Sequence, residues 1–131
     1  MTKDLRNRID SLRLQGSAEE IVTRFVEYLK YERGKDEYSA TALDCYLCFA
    51  TVIKNYLLEH WLITQPYEYK QNSKRVYYLS MEYLIGRSLN NAILNLDLGK
   101  QSLKALKHMG FKMQMLEELE WDAGLGNGGL G

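Results

Sequence analysis

Arg75-Val76-Tyr77-Tyr78-Leu79-Ser80 is the stretch whose reading decides the fold. Aromatic and β-branched residues crowd it and no proline interrupts it, so it reads as a β-strand. No other stretch reads as a convincing partner. A lone strand leaves its backbone N–H and C=O groups unpaired, so this one expects a sheet that the 131 residues do not supply. Everything around it has helical periodicity. The expected fold class is mostly α, with one or few strands.

Toward the amino terminus, Pro66 either ends a long helix or kinks it before Tyr69. That helix is expected to begin near Thr41, with Asp44 at the capping-box position. Leu43, Leu47, Ala50, Ile53, Leu57 and Trp61 are expected on its buried side. An earlier helix starts at Ser17, with Glu20 completing a capping box, and carries Ile21, Val22, Phe25, Val26 and Leu29 on one stripe. Gly34 is expected to end it, with a polar connection over residues 35–39. Residues 1–16 read as a mobile arm, in which Ser11 between Arg8 and Arg13 is a weak match to a kinase site, weakened further by Asp10.

Toward the carboxyl terminus, Ser88 is expected to cap a helix with Leu89, Ala92, Ile93 and Leu96 inside. Another helix is expected over Gln101 to Met109, stopped by Gly110, and an acidic turn or two over Phe111 to Trp121. The chain then runs into Asp122-Ala-Gly-Leu-Gly-Asn-Gly-Gly-Leu-Gly131, which holds five of its 10 glycines. Glycines this dense admit positive φ and close approach to a ligand, and consecutive N–H groups in such a turn form a nest for an anion. Gly124-x-Gly126-x-x-Gly129 also matches the dinucleotide fingerprint as a bare pattern. That fingerprint needs a preceding strand and a following helix; here a helical pattern precedes it and the sequence stops.

Seventeen basic and 17 acidic side chains cancel, so no net field draws the chain to nucleic acid or anionic lipid. No apolar run reaches the roughly 18 residues of a membrane span, and the amino terminus has no signal pattern. The expectation is a cytoplasmic protein. Cys45-x-x-Cys48 falls inside a helical pattern, with His60 and His108 far off in sequence, so it reads as a pair of buried thiols rather than a redox or zinc motif. No metal site is expected.

Two long motifs, Arg75-Val-Tyr-Tyr-Leu-Ser-Met-Glu-Tyr-Leu-Ile-Gly-Arg-Ser-Leu89 and Glu117-Glu-Leu-Glu-Trp-Asp-Ala-Gly-Leu-Gly-Asn-Gly-Gly-Leu-Gly131, closely resemble the α-glucan phosphorylases, and so does their separation. The likeness covers nearly the whole chain after about residue 17. Members of that family are several times longer, so the chain is expected to be the amino-terminal piece of one. The resemblance implies an α/β parent of two doubly wound lobes, a GT-B-like glycosyltransferase. Residues 17–72 would be a helical cap and dimer-contact region, and residues 73–131 the start of the first lobe. The implied reaction cleaves a terminal α-1,4-glucosidic bond of an α-glucan with inorganic phosphate to give α-glucose 1-phosphate. The implied cofactor is pyridoxal 5′-phosphate, whose lysine in the family lies in the second lobe and outside this sequence, so the chain alone is expected to be inactive. The parent is expected to be a homodimer.

Carried over by the resemblance, Asn127, Gly128, Gly129 and Leu130 would line the catalytic cleft near the phosphate and glucosyl unit. Glu82, Tyr83, Leu84 and Gly86 would sit close behind, near the cofactor. Leu84 stands where many relatives have a tyrosine. A structural ion pair between Glu82 and Arg87 is expected under the loop. Asp36, Trp61, Gln65 and Tyr69 fall at positions that bind AMP across the dimer in animal members, although Pro66 departs from that pattern, and packing is the alternative role. A competing expectation is a free-standing helical module that binds glucan or a phosphorylase subunit.

Overall fold

Ser17 starts the first helix by accepting the Glu20 N–H on its hydroxyl at 3.1 Å. In the computed structural model, which describes residues 14–126 and Gly128, this helix, α1, covers Ala18–Glu27. The reciprocal half of the expected capping box is not made. The Glu20 carboxylate instead accepts the N–H groups of Gln15 and Gly16 at 2.8 and 3.0 Å, and the Tyr56 hydroxyl at 3.2 Å. Gly16, at φ 72°, turns the chain so that both amides point at it. Of the expected stripe, Ile21 and Phe25 are buried, Val22 and Leu29 pack against the core, and Val26 faces outward at 51% exposure. The helix closes through a π turn over Tyr28–Glu32. Gly34 then reverses the backbone at φ 62°, and the Lys35 N–H returns to the Leu29 carbonyl at 3.0 Å.

The second helix, α2, runs over Ala42–Lys70, a rod about 43 Å long at 1.5 Å per residue. Its amino end carries the full box: Thr41 Oγ1 accepts the Asp44 N–H at 3.2 Å and Asp44 Oδ2 accepts the Thr41 N–H at 3.1 Å. Asp44 is buried, and Arg33 donates to its other oxygen from Nε and Nη2 at 2.9 and 2.7 Å. The helix passes through Pro66 without ending there. Its buried face differs from the expected one: Cys45, Cys48, Phe49, Val52, Ile53 and Tyr56 form the inner stripe. Leu47 and Ala50 are half-buried, while Leu43, Leu57 and Trp61 are exposed. The helix is apolar on several sides, so periodicity alone does not select a face; contact with its helical neighbours does. Beyond Tyr56 it buries no side chain.

The chain then crosses residues 73–80 without regular structure and with its side chains exposed. The strand expected over Arg75 to Ser80 is therefore displaced. Among the described residues the only strands are β1, Tyr83–Leu84, and β2, Gly124–Leu125, paired antiparallel with Tyr83 opposite Leu125 and Leu84 opposite Gly124. The glycine stretch is the missing partner, and it reaches Tyr83 and Leu84 rather than the more strand-like residues before them. Composition favours Val76 to Leu79, but a ladder needs a neighbouring backbone, and these exposed residues leave their donors to water.

Between the strands lie α3 (Leu89–Asn95), α4 (Gly99–His108) and α5 (Met113–Glu117). Gly110, at φ 79°, stops α4 as expected, and the Phe111 N–H returns to Leu106 O at 2.8 Å. Leu89 and Ile93 of α3, Ala105 and Leu106 of α4 and Leu116 of α5 join Ile21, Phe25 and the inner stripe of α2 in one core. Phe25 and Phe111 meet at 5.9 Å between ring centroids. Each large side chain buried there stabilises the fold by roughly 1.5–3 kcal/mol. The architecture is helical with one two-residue ladder, too short to stand without the helices beneath it.

Candidate functional site

The two sequence motifs converge at the ladder. The Gly126 N–H donates to the Glu82 carbonyl, extending the β1–β2 pairing by one step. Gly86 holds φ 84°, and a Cβ there would lie 2.5 Å from the Ala123 nitrogen. A Cβ on Gly128 would lie 2.8 Å from the Met81 carbonyl oxygen. Both glycines are required by backbone packed on backbone. Glu82, Tyr83, Leu84 and Gly86 are thus brought against Gly124, Gly126 and Gly128. Asn127, Gly129 and Leu130 lie outside the described residues.

Tyr83 stacks on Tyr78 with centroids 6.0 Å apart. The expected pair between Glu82 and Arg87 is not formed: Arg87 Nε donates to Asp122 Oδ1 at 3.0 Å. Asp122 comes within reach because the β2 end of the chain folds back beside Arg87. Both side chains are exposed, so this pair adds little stability.

A residue the sequence did not single out organises the base of this region. Glu120, 9% exposed, accepts the N–H groups of Ser88 and Leu89 on Oε1 at 3.1 and 3.0 Å. The Tyr46 hydroxyl donates to the same oxygen at 3.4 Å. The side chain of Ser88, expected to cap α3, makes no capping bond. The carboxylate of Glu120 does that work from across the fold, where it also meets the positive end of the helix dipole. No local pattern signals a cap 32 residues away from the helix it caps. Burial and the Glu120 charge push the Tyr46 phenol above its ordinary value. Tyr46, Leu84, Gly86, Ser88, Glu120 and Trp121 line a groove of about 450 Å³.

Of the other candidate residues, Trp61, Gln65 and Tyr69 lie on the outer half of α2 and Asp36 in the turn before its amino end. Trp61 and Gln65 line a groove of about 650 Å³ with His60, Glu68, Lys74 and Arg75. Arg75 Nη2 holds Glu68 at 3.4 Å and Gln65 Oε1 at 3.3 Å, bracing the extended segment against the helix. Tyr69 lies on the adjoining groove with Asn72, Ser73 and Arg75. Asp36 lines neither. Its carboxylate is engaged within its own turn, accepting from Ser39 Oγ at 2.6 Å and Ser39 N at 2.9 Å, and the Ser39 hydroxyl lowers its pKa.

Cys45 and Cys48 are free thiols in the core, and burial raises both. Among the described residues no group of three or more His, Cys, Asp or Glu side chains gathers as a metal site. No described helix is long and apolar enough to cross a membrane.

No protein-family model matches the chain. Curated proteins do. The muscle form of glycogen phosphorylase from Mus musculus is 39% identical over 131 residues, 98% of this chain and 16% of the relative. The brain form from Bos taurus is 40% identical over 116 residues, covering 88% of the chain and 14% of the relative. The liver form from Bos taurus is 42% identical over 112 residues, or 86% and 13%. The chain therefore spans 13–16% of the length of these relatives. Identity at this level along almost all of the chain, with both motifs meeting at one ladder, shows that it belongs to the glycogen phosphorylase family.

Proposed function

We propose that the chain is the amino-terminal part of an α-glucan phosphorylase that cleaves terminal α-1,4-glucosidic bonds with inorganic phosphate and releases α-glucose 1-phosphate. The observation that carries this reading is the 39–42% identity over 86–98% of the chain. In it, residues 1–16 form the arm, 17–72 the cap and dimer contact, and 73–131 the opening of the first of two GT-B-like lobes. The enzyme is a cytoplasmic homodimer.

The amides of Asn127, Gly128, Gly129 and Leu130 are assigned to the substrate phosphate and glucosyl unit. Preset N–H donors stabilise developing negative charge there without giving up a proton. A side chain at Gly128 would strike Met81, so this glycine keeps the loop's backbone packed beside β1. Asp36, Trp61, Gln65 and Tyr69 are assigned to the dimer contact, with Trp61 and Gln65 bordering an effector groove.

Pyridoxal phosphate is the family's cofactor, and its phosphate is what would exchange a proton with the substrate phosphate. The described residues of this chain do not hold it by themselves. The groove bounded by Leu84 and Gly86 carries the Glu120 carboxylate, and among the described residues no lysine or arginine lines it. The 131-residue chain alone is therefore proposed to be inactive. The test is phosphate-dependent release of glucose 1-phosphate from glycogen by the product of the complete reading frame, beside the 131-residue chain. Release by the former only is expected. A complete product that never phosphorolyses an α-glucan overturns the reading.

A further inference from the structure

We propose that Glu120 is a positioning residue for the glycine stretch: its carboxylate sets the register in which residues 120–128 run beside residues 81–88, and so where the Gly128 amide stands. The two segments meet in antiparallel order well beyond the two ladder pairs. The Ser88 N–H meets the Glu120 side chain, Arg87 meets Asp122, and Gly86 packs on Ala123. Leu84 and Tyr83 pair with Gly124 and Leu125, the Gly126 N–H meets the Glu82 carbonyl, and Gly128 packs on Met81. Each step along one segment is matched by a step back along the other.

A glycine-rich strand does not hold such an order by itself, because it has few side chains to fit one face and slips easily by a residue. A slip here would bring Asn127 or Gly129 to the place of Gly128 beside Met81. The order is fixed at the other end, where Glu120 is buried. Among the described residues no lysine or arginine pairs with its carboxylate. A buried carboxylate without a cation is costly unless its hydrogen bonds are well made. Those of Glu120 all serve placement: Ser88 N and Leu89 N hold it to the segment that follows β1, and the Tyr46 hydroxyl holds it to α2. One side chain thus ties the roots of both segments to the helical core, and every one of these contacts is made inside the chain. That the Gly128 amide serves a phosphate rests on the phosphorylase reading; that Glu120 sets its register does not.

The test compares Glu120→Gln, Glu120→Asp and Glu120→Ala in the product of the complete reading frame. Glutamine keeps the reach and an acceptor, whereas aspartate keeps the charge and falls one methylene short. Positioning therefore ranks Glu120→Gln above Glu120→Asp, and a role of charge alone reverses them. In phosphorolysis of glycogen, KM for inorganic phosphate rises about threefold in Glu120→Gln and about thirtyfold in Glu120→Asp and Glu120→Ala, while KM for glycogen stays within about twofold. Loss of folded protein alone lowers kcat and leaves both KM values in place. Hydrogen exchange reads the same ranking without activity: the amides of residues 123–128 exchange faster in Glu120→Asp than in Glu120→Gln, and those of α1 keep their rate. An unchanged KM for phosphate in active variants, Glu120→Asp equal to or better than Glu120→Gln, or exchange that rises equally in α1 overturns the positioning role. Ranked exchange in a product that never phosphorolyses glycogen upholds Glu120 and counts against the phosphorylase reading, so the two failures are told apart.

Discussion

Replacing Glu120 by alanine should unfold the chain's junction from beneath. The carboxylate receives two backbone N–H groups at 3.0 and 3.1 Å. Hydrogen bonds to a charged group each contribute about 1.5–3 kcal/mol. Leu89 is buried, so its N–H loses the full value, about 2 kcal/mol. Ser88 is exposed and water can replace much of its bond, leaving about 0.5 kcal/mol. Loss of the charge at the head of α3 adds about 0.5 kcal/mol. The total is about 3 kcal/mol. Glu120→Gln keeps an acceptor for both amides, loses about 0.5 kcal/mol with the charge at the helix head and about 0.5 kcal/mol more because its bonds are no longer charge-assisted, a cost of about 1 kcal/mol. Urea unfolding followed by circular dichroism measures both. With a slope of about 2 kcal/mol/M, the midpoint falls about 1.5 M for alanine and about 0.5 M for glutamine. Equal shifts for the two variants, or an alanine variant within about 0.5 kcal/mol of the parent, would refute the long-range cap.

Gly86→Ala should open the ladder, because its φ of 84° is left-handed and the new Cβ meets Ala123 at 2.5 Å; hydrogen exchange at Gly126 speeds up roughly tenfold or more, from a strain of about 1–2 kcal/mol. Asp44 is held well below its ordinary value of 3.8, first by the Thr41 hydroxyl and then by Arg33. Its stabilisation is complete above that ordinary value and fades as the pH falls below it, so Asp44→Asn should flatten the acid limb of a stability profile while the parent keeps a slope. Burial raises the thiols of Cys45 and Cys48. At pH 8 both resist iodoacetamide in the native chain and react in urea; rapid native labelling would contradict their place in the core.

Local chemistry made much of this fold legible. Thr41 with Asp44, Ser17, Gly34 and Gly110 punctuate the helices where their side chains or backbone freedom demand. The stripe of α1 is legible at Ile21, Val22, Phe25 and Leu29, while Val26 lies at its edge and faces outward. The face of α2 is not legible, since Leu43, Leu57 and Trp61 compete with the buried residues by composition and lose to packing partners the sequence does not display. The strand was misplaced for a related reason: propensity favours Val76 to Leu79, whereas pairing depends on where the glycine stretch arrives. Within the candidate site, the meeting of Gly86 and Gly128 with opposing backbone follows from glycine-rich motifs. Glu120 does not, because its partners lie 31, 32 and 74 residues away. Asp122 took Arg87 from Glu82 for the same want of proximity information.

The junction also sets an order of events as the chain acquires its structure. The helices close contacts a few residues apart and form within about a microsecond. The bond from Tyr46 to Glu120 closes a loop of 74 residues and the packing of Phe25 on Phe111 a longer one, so core and junction alike follow the local helices, because the entropy of joining distant segments is lost before any contact repays it. The ladder between Tyr83 and Leu125 joins segments 42 residues apart. Interactions made after the rate-limiting barrier govern how fast a protein comes apart and leave its rate of assembly almost untouched. The glycine junction, a ladder of two residue pairs, is the latch of the chain if substitutions at Gly86 or Glu120 steepen unfolding kinetics and leave the folding rate in place.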